Sequence, residues 1–198
     1  LRFRFFLMKN LKQLKIEALE NEVPIIEDEA LAFIQNLIKE NNLRNILEIG
    51  SGVGYSALAF CEADPGIKVL TLEKDSARFS KAKQNLLEFN DSQVELIHVD
   101  ALTYRPERIF DLLFIDGAKT KNQEFFDLFA QNVSTGGYIV IDDIDLHGFV
   151  QDISLVRTKH LRDLVRCIQL FKENLINDPN YETSYYPIGD GILVAKKK

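Results

Sequence analysis

Asn45-Ile-Leu-Glu-Ile-Gly-Ser-Gly-Val-Gly-Tyr55 runs from an apolar strand through three glycines into a helix, and the rest of the chain can be placed relative to it. Ile46, Leu47 and Ile49 read as a buried parallel strand. Gly50, Gly52 and Gly54 let the backbone turn sharply and approach a ligand that a Cβ would exclude. The helix that follows, roughly 55–62, aims its free amides at the same spot. A second apolar strand, Lys68-Val-Leu-Thr-Leu-Glu73, ends in an acid 19 residues after Gly54. In a βαβ unit that acid reaches the two ribose hydroxyls of an adenosine-type ligand. A dinucleotide fingerprint wants Gly-x-Gly-x-x-Gly; here the third glycine comes one residue early, which favours a ligand with no pyrophosphate to cradle. The same glycines also suit a plain strand-to-helix turn, so the motif alone does not decide.

A chain of 198 residues with 46% hydrophobic composition suits a single domain, 1–198. Residues 1–42 hold N-terminal helices and a lid or linker, and 43–198 form the core. A net charge of −6 argues against a protein coating nucleic acid over its whole surface, while leaving room for a local basic patch. Cys61 and Cys167 read as buried helical thiols of a reducing compartment, with neither a disulfide framework nor a zinc site. No run approaches the ~18 apolar residues of a membrane span. The opening Leu1–Met8 has too short an apolar core for a signal peptide, and residues 1–7 receive no role. The expected location is cytoplasmic.

Helical spacing marks 10–21 through Leu11, Leu14, Ala18 and Leu19, and 27–40 through Ala30, Leu31, Ile34, Leu37 and Ile38. Between them Glu22-Val-Pro-Ile-Ile26 is either a lid over the pocket or a simple linker. A helix over 75–89 leads to a third strand over 93–99, ending at Asp100-Ala101, where a carboxylate can take the exocyclic amine of an adenine. His98 reads as a strand residue with a satisfied ring. The fourth strand, Phe110–Ile115, ends at Asp116-Gly-Ala-Lys119, and the fifth, Tyr138–Ile141, ends at Asp142-Asp143 after a Gly136-Gly137 turn.

In an open α/β sheet ligands bind at the carboxyl edge, so Glu73, Asp100, Asp116, Asp142 and Asp143 should converge on one crevice. Three carboxylates with no local arginine or histidine repel one another unless a cation joins them. Asp116, Asp142 and Asp143 therefore read as hard oxygen ligands for Mg²⁺ or a similar divalent ion. Lys119 would lie beside that site, where a neighbouring cation lowers its pKa towards that of a general base.

Residues 47–56, Glu73, Asp100, Phe-Ile-Asp-Gly-Ala-Lys119 and Gly136-Gly137 before Ile141-Asp-Asp143 together resemble the metal- and S-adenosylmethionine-dependent O-methyltransferases of the catechol and caffeoyl-coenzyme A type. Within that group the chain is most similar to the bacterial tRNA 5-hydroxyuridine methyltransferases. That similarity lies in Val23-Pro-Ile-Ile26 and in Asp178-Pro-Asn-Tyr-Glu-Thr-Ser184 followed by Pro187-Ile-Gly-Asp-Gly-Ile192. The resemblance implies that Ile26, Gly50, Gly52, Ser56, Glu73, Asp100, Ala101 and Asp116 line the S-adenosylmethionine site. It also implies that Asp116, Asp142 and Asp143 hold the metal and that Lys119 is the catalytic base. One departure is Asp143, where the family usually has Asn; the added charge would tighten metal binding.

A helix over 157–175 carries Leu161, Leu164, Val165, Ile168 and Phe171 on its apolar face, while Arg157, Lys159, Arg162 and Arg166 form a basic stripe on another. Such a stripe is either a solvated face or a contact for a phosphate backbone; the resemblance favours tRNA. The end of the chain, 181–186 and 191–195, reads as a hairpin adding an antiparallel edge, with 196–198 a frayed tail. The expected fold is a Rossmann-like, seven-stranded, mostly parallel α/β sheet with helices on both faces. The N-terminal helices and the resemblance suggest a homodimer. Three functions are open: O-methylation of 5-hydroxyuridine in tRNA, the same chemistry on a small catechol-like phenol, and a non-catalytic nucleotide-binding module.

Overall fold

The computed structural model of the protein describes residues 9–89 and 92–198. The opening stretch 1–8, including the part given no role, lies outside them. Among the described residues seven strands form one sheet: β1 (Asn45–Ile49), β2 (Lys68–Glu73), β3 (Val94–His98), β4 (Phe110–Ile115), β5 (Val133–Ile141), β6 (Tyr181–Tyr186) and β7 (Ile192–Lys197). Their order is β3-β2-β1-β4-β5-β7-β6. The first five are parallel, β7 pairs antiparallel with β5, and β6 antiparallel with β7. The order reverses between β1 and β4, which is where an open sheet of this kind leaves a crevice.

The apolar runs are continuous because both faces of the central strands are covered. Successive side chains point to opposite sides, so Ile46, Val69, Phe114 and Val140 enter one core while Leu47, Leu70, Ile115 and Ile141 enter the other. The first core is closed by α1 (Leu11–Glu20), α2 (Asp28–Asn41), α3 (Tyr55–Cys61) and the inner side of α4 (Ser76–Phe89). The second is closed by α5 (Asn122–Phe129) and α6 (Lys159–Asn177). Helix ends follow side-chain chemistry. Asn10 and Gln13 make a reciprocal capping box on α1, and the Thr158 hydroxyl accepts from the Leu161 amide to start α6. On α6, Val165, Ile168, Phe171 and Leu175 are buried at spacings of three and four.

The topology also orients α6. β5 ends at the carboxyl edge, β7 runs back from it, and β6 runs towards it again. Because α6 leads into the start of β6 at the opposite edge, its own first turn lies at the carboxyl edge. There it packs against the short turn Lys119–Lys121.

Three expectations need correction. Gly136 and Gly137 do not form a turn before the fifth strand; they lie within β5, which starts at Val133. They sit where its pairing with β4 slips between Phe110 and Leu112. Gly136 has φ +80°, and a Cβ on Gly137 would come 2.9 Å from the Asp111 carbonyl oxygen, so the irregular pairing needs both. Cys61 is buried but Cys167 is exposed, off the apolar stripe of α6. The end of the chain is not frayed: Lys196 and Lys197 belong to β7, and the Lys197 ammonium donates to the Ala130 and Val133 carbonyls at 2.9 and 2.8 Å. Helix α5 was not anticipated. Among the described residues, no helix is long and apolar enough to cross a membrane.

Candidate active site

The glycine stretch ends β1 at the sheet's switch point. Gly50 has φ +101°, and a Cβ there would stand 2.4 Å from the Asp116 carbonyl oxygen, so only glycine lets the β1 and β4 ends close on each other. A Cβ on Gly52 would meet no atom within 4 Å. The room above Gly52 is part of a cavity of about 640 Å³ opening at the carboxyl edge.

One side of this cavity is made by the ends of β1, β2 and β3. The Glu73 carboxylate is buried and fixed by backbone amides: Gly52 donates to Oε2 at 3.0 Å and Asp75 to Oε1 at 2.8 Å. Asp100 caps a short turn, accepting from the Leu102 amide at 3.0 Å, which places Ala101 in the wall beside it. Pro24, Ile25 and Ile26, between α1 and α2, close over this side. That wall segment meets the β6–β7 turn, where a Cβ on Gly189 would approach the Glu27 carboxylate at 3.1 Å.

Below the glycine stretch lies a carboxyl group that sequence reasoning assigned no role. Glu48 has no exposure, and it accepts from the hydroxyls of Ser56 and Thr71; the Thr71 hydroxyl is in turn 2.6 Å from that of Ser51. Burial pushes the Glu48 carboxyl up to about 7 despite those hydroxyls. Ser56 is therefore turned towards Glu48 under the floor and is not part of the cavity wall.

The other side comes from the ends of β4 and β5. Asp116, Asp142 and Asp143 all reach the wall, and the cation among them is Lys119. Its ammonium donates to Asp116 Oδ1 at 3.0 Å and to the Asp142 carbonyl at 3.1 Å, and pairs with Asp143 Oδ2 at 3.1 Å. Burial raises the Asp142 carboxyl to about 7, with help from the charges of Asp116 and Asp143. Asp116 is raised as well, by burial more than Lys119 can offset. Burial alone would lower the pKa of Lys119, but attraction to Asp116, Asp143 and Asp142 outweighs it and the net shift is upward. Among the described residues no three His, Cys, Asp or Glu side chains are arranged to hold a metal ion. The donor chemistry of the three aspartates nonetheless suits a hard divalent cation.

Asp143 sits at φ +51°, a left-handed conformation that Asp and Asn tolerate better than most residues. Leu146 and His147 follow at φ +48° and +56°. This strained loop is held by the β6–β7 turn: the Asp145 amide donates to the Asp190 carbonyl at 2.8 Å and the His147 amide to Asp190 Oδ1 at 2.6 Å. Beneath it the buried Asp145 accepts from Tyr185 and from Gln151, with Lys172 3.4 Å away.

Nine of the site residues read from sequence thus share one cavity, with Lys119 bonded to its wall. The basic stripe Arg157, Lys159, Arg162 and Arg166 lies outside it, and Arg166 pairs with Asp163. The expectation of carboxylates without arginine or histidine is corrected, because Arg78 and His147 line the same cavity. Asp190 and Phe125 were missed too. Asp190 had a signal in the quoted Gly-Asp-Gly turn; His147 had none, since only the fold of its loop brings it to the mouth.

The family model for O-methyltransferases matches residues 4–198. A caffeoyl-CoA O-methyltransferase of Populus kitakamiensis is 25% identical over 83% of this chain and 74% of its own length. A flavonoid 3',5'-methyltransferase of Vitis vinifera is 26% identical over 88% and 78%. Among solved structures, a Staphylococcus aureus protein assigned as a caffeoyl-CoA O-methyltransferase is 35% identical with a TM-score of 0.91, covering 96% of this chain and 93% of that one. An O-methyltransferase from Bacillus cereus, solved in complex with SAH, shares the fold at 24% identity and a TM-score of 0.81, over 98% and 94%. The chain, with its glycine floor, buried Glu73 and three aspartates on one sheet edge, belongs to the S-adenosylmethionine-dependent O-methyltransferase family, of the caffeoyl-CoA type.

Proposed function

We propose that the protein transfers the methyl group of S-adenosylmethionine to the 5-hydroxyl of 5-hydroxyuridine in tRNA, giving 5-methoxyuridine. The observation that carries the RNA part is the direction of α6. Its first turns, with Lys159 and Arg162 and with Arg157 just before the cap, stand at the same sheet edge as the cavity, where a polyanion must approach. The resemblance at 178–192 supports the same substrate.

On the donor side, Glu73 takes the ribose hydroxyls, Asp100 the adenine amine, and Gly50 and Gly52 let the methionine part lie on the backbone, beside Ile26 and Ala101. Ser56 acts from below through Glu48. On the acceptor side, Asp116, Asp142 and Asp143 would hold a divalent cation, which supplies acidification of a nearby hydroxyl. The extra charge of Asp143 would strengthen their hold on such a cation. Lys119 is the group that moves the proton. It is protonated while its acidic neighbours hold it; once that proton has passed to solvent water at the open cavity, Nζ takes the acceptor's proton. The acceptor oxygen then attacks the methyl carbon in line as the carbon–sulfur bond breaks. Both partners have to be held in contact with water excluded.

The second reading, a small catechol-like phenol as acceptor, is favoured by the named relatives, which include caffeoyl-CoA and flavonoid methyltransferases. The two are separated by methyl transfer from labelled S-adenosylmethionine to tRNA bearing 5-hydroxyuridine and, separately, to catechol, each with Mg²⁺ or with chelator. Label in tRNA that disappears with chelator is the expected result. Label confined to catechol would give the function to small molecules, and label that survives chelation would remove the metal. A homodimer and a cytoplasmic location are part of the same reading; sedimentation of the purified chain tests the first.

A further inference from the structure

The cavity is acidic along much of its wall, with Glu27, Glu73, Asp116, Asp142, Asp143 and Asp190. Such a site attracts a sulfonium cofactor and repels a polyanion. An RNA strand can insert one nucleotide only if cations at the mouth hold the phosphates on either side. The first turns of α6 supply cations on one face of the sheet, the face covered by α5 and α6. Two cations stand on the other. Lys74 follows the end of β2 and Arg78 lies in the first turn of α4; both line the cavity mouth and both are exposed.

Several cations elsewhere are held by carboxylates, and these two are not. Lys9, Lys15, Arg44, Arg108 and Lys121 are each paired with a carboxylate. Among the described residues no carboxylate stands within salt-bridge distance of the Lys74 or Arg78 side chain. Asp75, which lies between them, uses its Oδ1 on the Ala77 and Arg78 amides at 3.0 and 2.8 Å. Arg78 is near enough to the acceptor side to favour the charged form of Asp116. Two unpaired cations four residues apart therefore face the mouth across from the basic end of α6.

We propose that Lys74 and Arg78 form a second phosphate-binding site, across the mouth from α6, for the RNA strand that carries the target nucleotide. This rests on the tRNA reading above. The strand crosses the mouth from one face of the sheet to the other, and the nucleotide between the two grips points into the acidic crevice. Phosphate contacts of this kind fix register without reading sequence.

The test is fluorescence anisotropy of a labelled anticodon stem-loop bearing 5-hydroxyuridine, titrated with the full chain at 50–200 mM KCl. The double variant Lys74→Ala/Arg78→Ala should bind about tenfold more weakly at the upper salt. Its slope of log K against log salt should be shallower by ~1.4, as for two lost single-strand phosphate contacts. Lys74→Arg/Arg78→Lys should recover most of the loss. S-adenosylmethionine affinity, measured by calorimetry on the same variants, should stay within about threefold. Unchanged RNA affinity and slope would overturn the proposal, as would a loss of cofactor affinity larger than the loss for RNA. Wild-type chain that fails to bind the stem-loop removes the tRNA reading and this site together; wild-type binding that the double variant keeps removes this site alone.

Discussion

The two sides of the cavity are built differently. On the donor side each carboxylate is fixed by backbone within a few residues: Glu73 by the amides of Gly52 and Asp75, Asp100 by that of Leu102. On the acceptor side Asp142 Oδ1 likewise accepts from the Asp143 amide at 3.0 Å, but Asp116 and Asp143 are paired with one ammonium, Lys119, and the loop after them is held by a turn more than 40 residues later in the chain. The donor side is thus preorganised by local hydrogen bonds. The acceptor side is a set of carboxyl groups gathered around one cation, an arrangement suited to proton transfer.

Removing that cation should have the largest effect. Lys119→Ala should lower kcat by ~10²–10⁴, the usual contribution of a positioned base, while S-adenosylmethionine binding changes little. Single-turnover rates and cofactor calorimetry on the same preparation check both halves of that statement. If cofactor affinity fell as far as the rate, the two sides would not be separable.

The same contrast explains what was legible in the sequence. The donor side is written in one continuous run, because a glycine loop, the helix after it and the acid on the next strand are neighbours in sequence and in space. Even so, Ser56 shares a helix face with the loop but turns to Glu48, because a buried carboxyl without hydroxyl partners would be costlier still. The acceptor side is assembled from strand ends, a strained loop and a hairpin. Asp142 and Asp143 were readable from strand ends, whereas His147 and Arg78 were not, since no local period points them at the cavity. Helix α5 was overlooked because its eight residues are short for a periodicity signal, although Phe125, Phe126 and Phe129 bury one face.

Gly50 lies on the seam between the two sides and offers the next largest effect. Gly50→Ala places a Cβ 2.4 Å from the Asp116 carbonyl oxygen at φ +101°. The steric and backbone costs together come to roughly 4 kcal/mol, enough to consume much of a typical domain's stability. Gly52→Ala meets no atom and should cost only about 1 kcal/mol of stability while weakening the cofactor. Urea unfolding of the two variants would show whether the seam is as tight as the geometry requires; equal losses would mean it is not.

Glu48, under the same seam, makes stability depend on pH. Its carboxyl titrates near 4.5 in the unfolded chain and at about 7 in the fold. Between those values the folded protein keeps a proton that the unfolded chain has released. The fold is therefore favoured most, as far as this group is concerned, below pH 4.5, and loses about 3 kcal/mol as pH rises through 7. Glu48→Gln cannot titrate. The difference in unfolding free energy between wild type and variant should fall by about that amount from pH 5 to pH 8, and a difference that is flat with pH would show that Ser56 and Thr71 keep the carboxylate ionised.

Two buried asparagines carry the comparison to its smallest effect. Asn85, packed behind the donor side, has a partner at each end: its amide donates to the Val53 carbonyl at 2.8 Å and its oxygen accepts from Lys9 at 3.0 Å. Asn122, which opens α5 beside the Lys119 turn, is equally buried, yet neither its amide nor its oxygen has a hydrogen-bond partner among the described residues. The two should respond to the same substitution with opposite signs. Asn85→Leu strands the Val53 carbonyl and takes one partner from the Lys9 ammonium, which keeps Glu17 and Glu88, and should cost about 1–3 kcal/mol, whereas Asn122→Leu removes two unsatisfied polar atoms and should add about 1 kcal/mol. Urea midpoints at constant m decide it. Destabilisation by both would mean that the Asn122 amide is paired through water, and the acceptor side would then be as well satisfied as the donor side; the opposite signs would locate its looser polar packing at the start of the helix that follows the Lys119 turn.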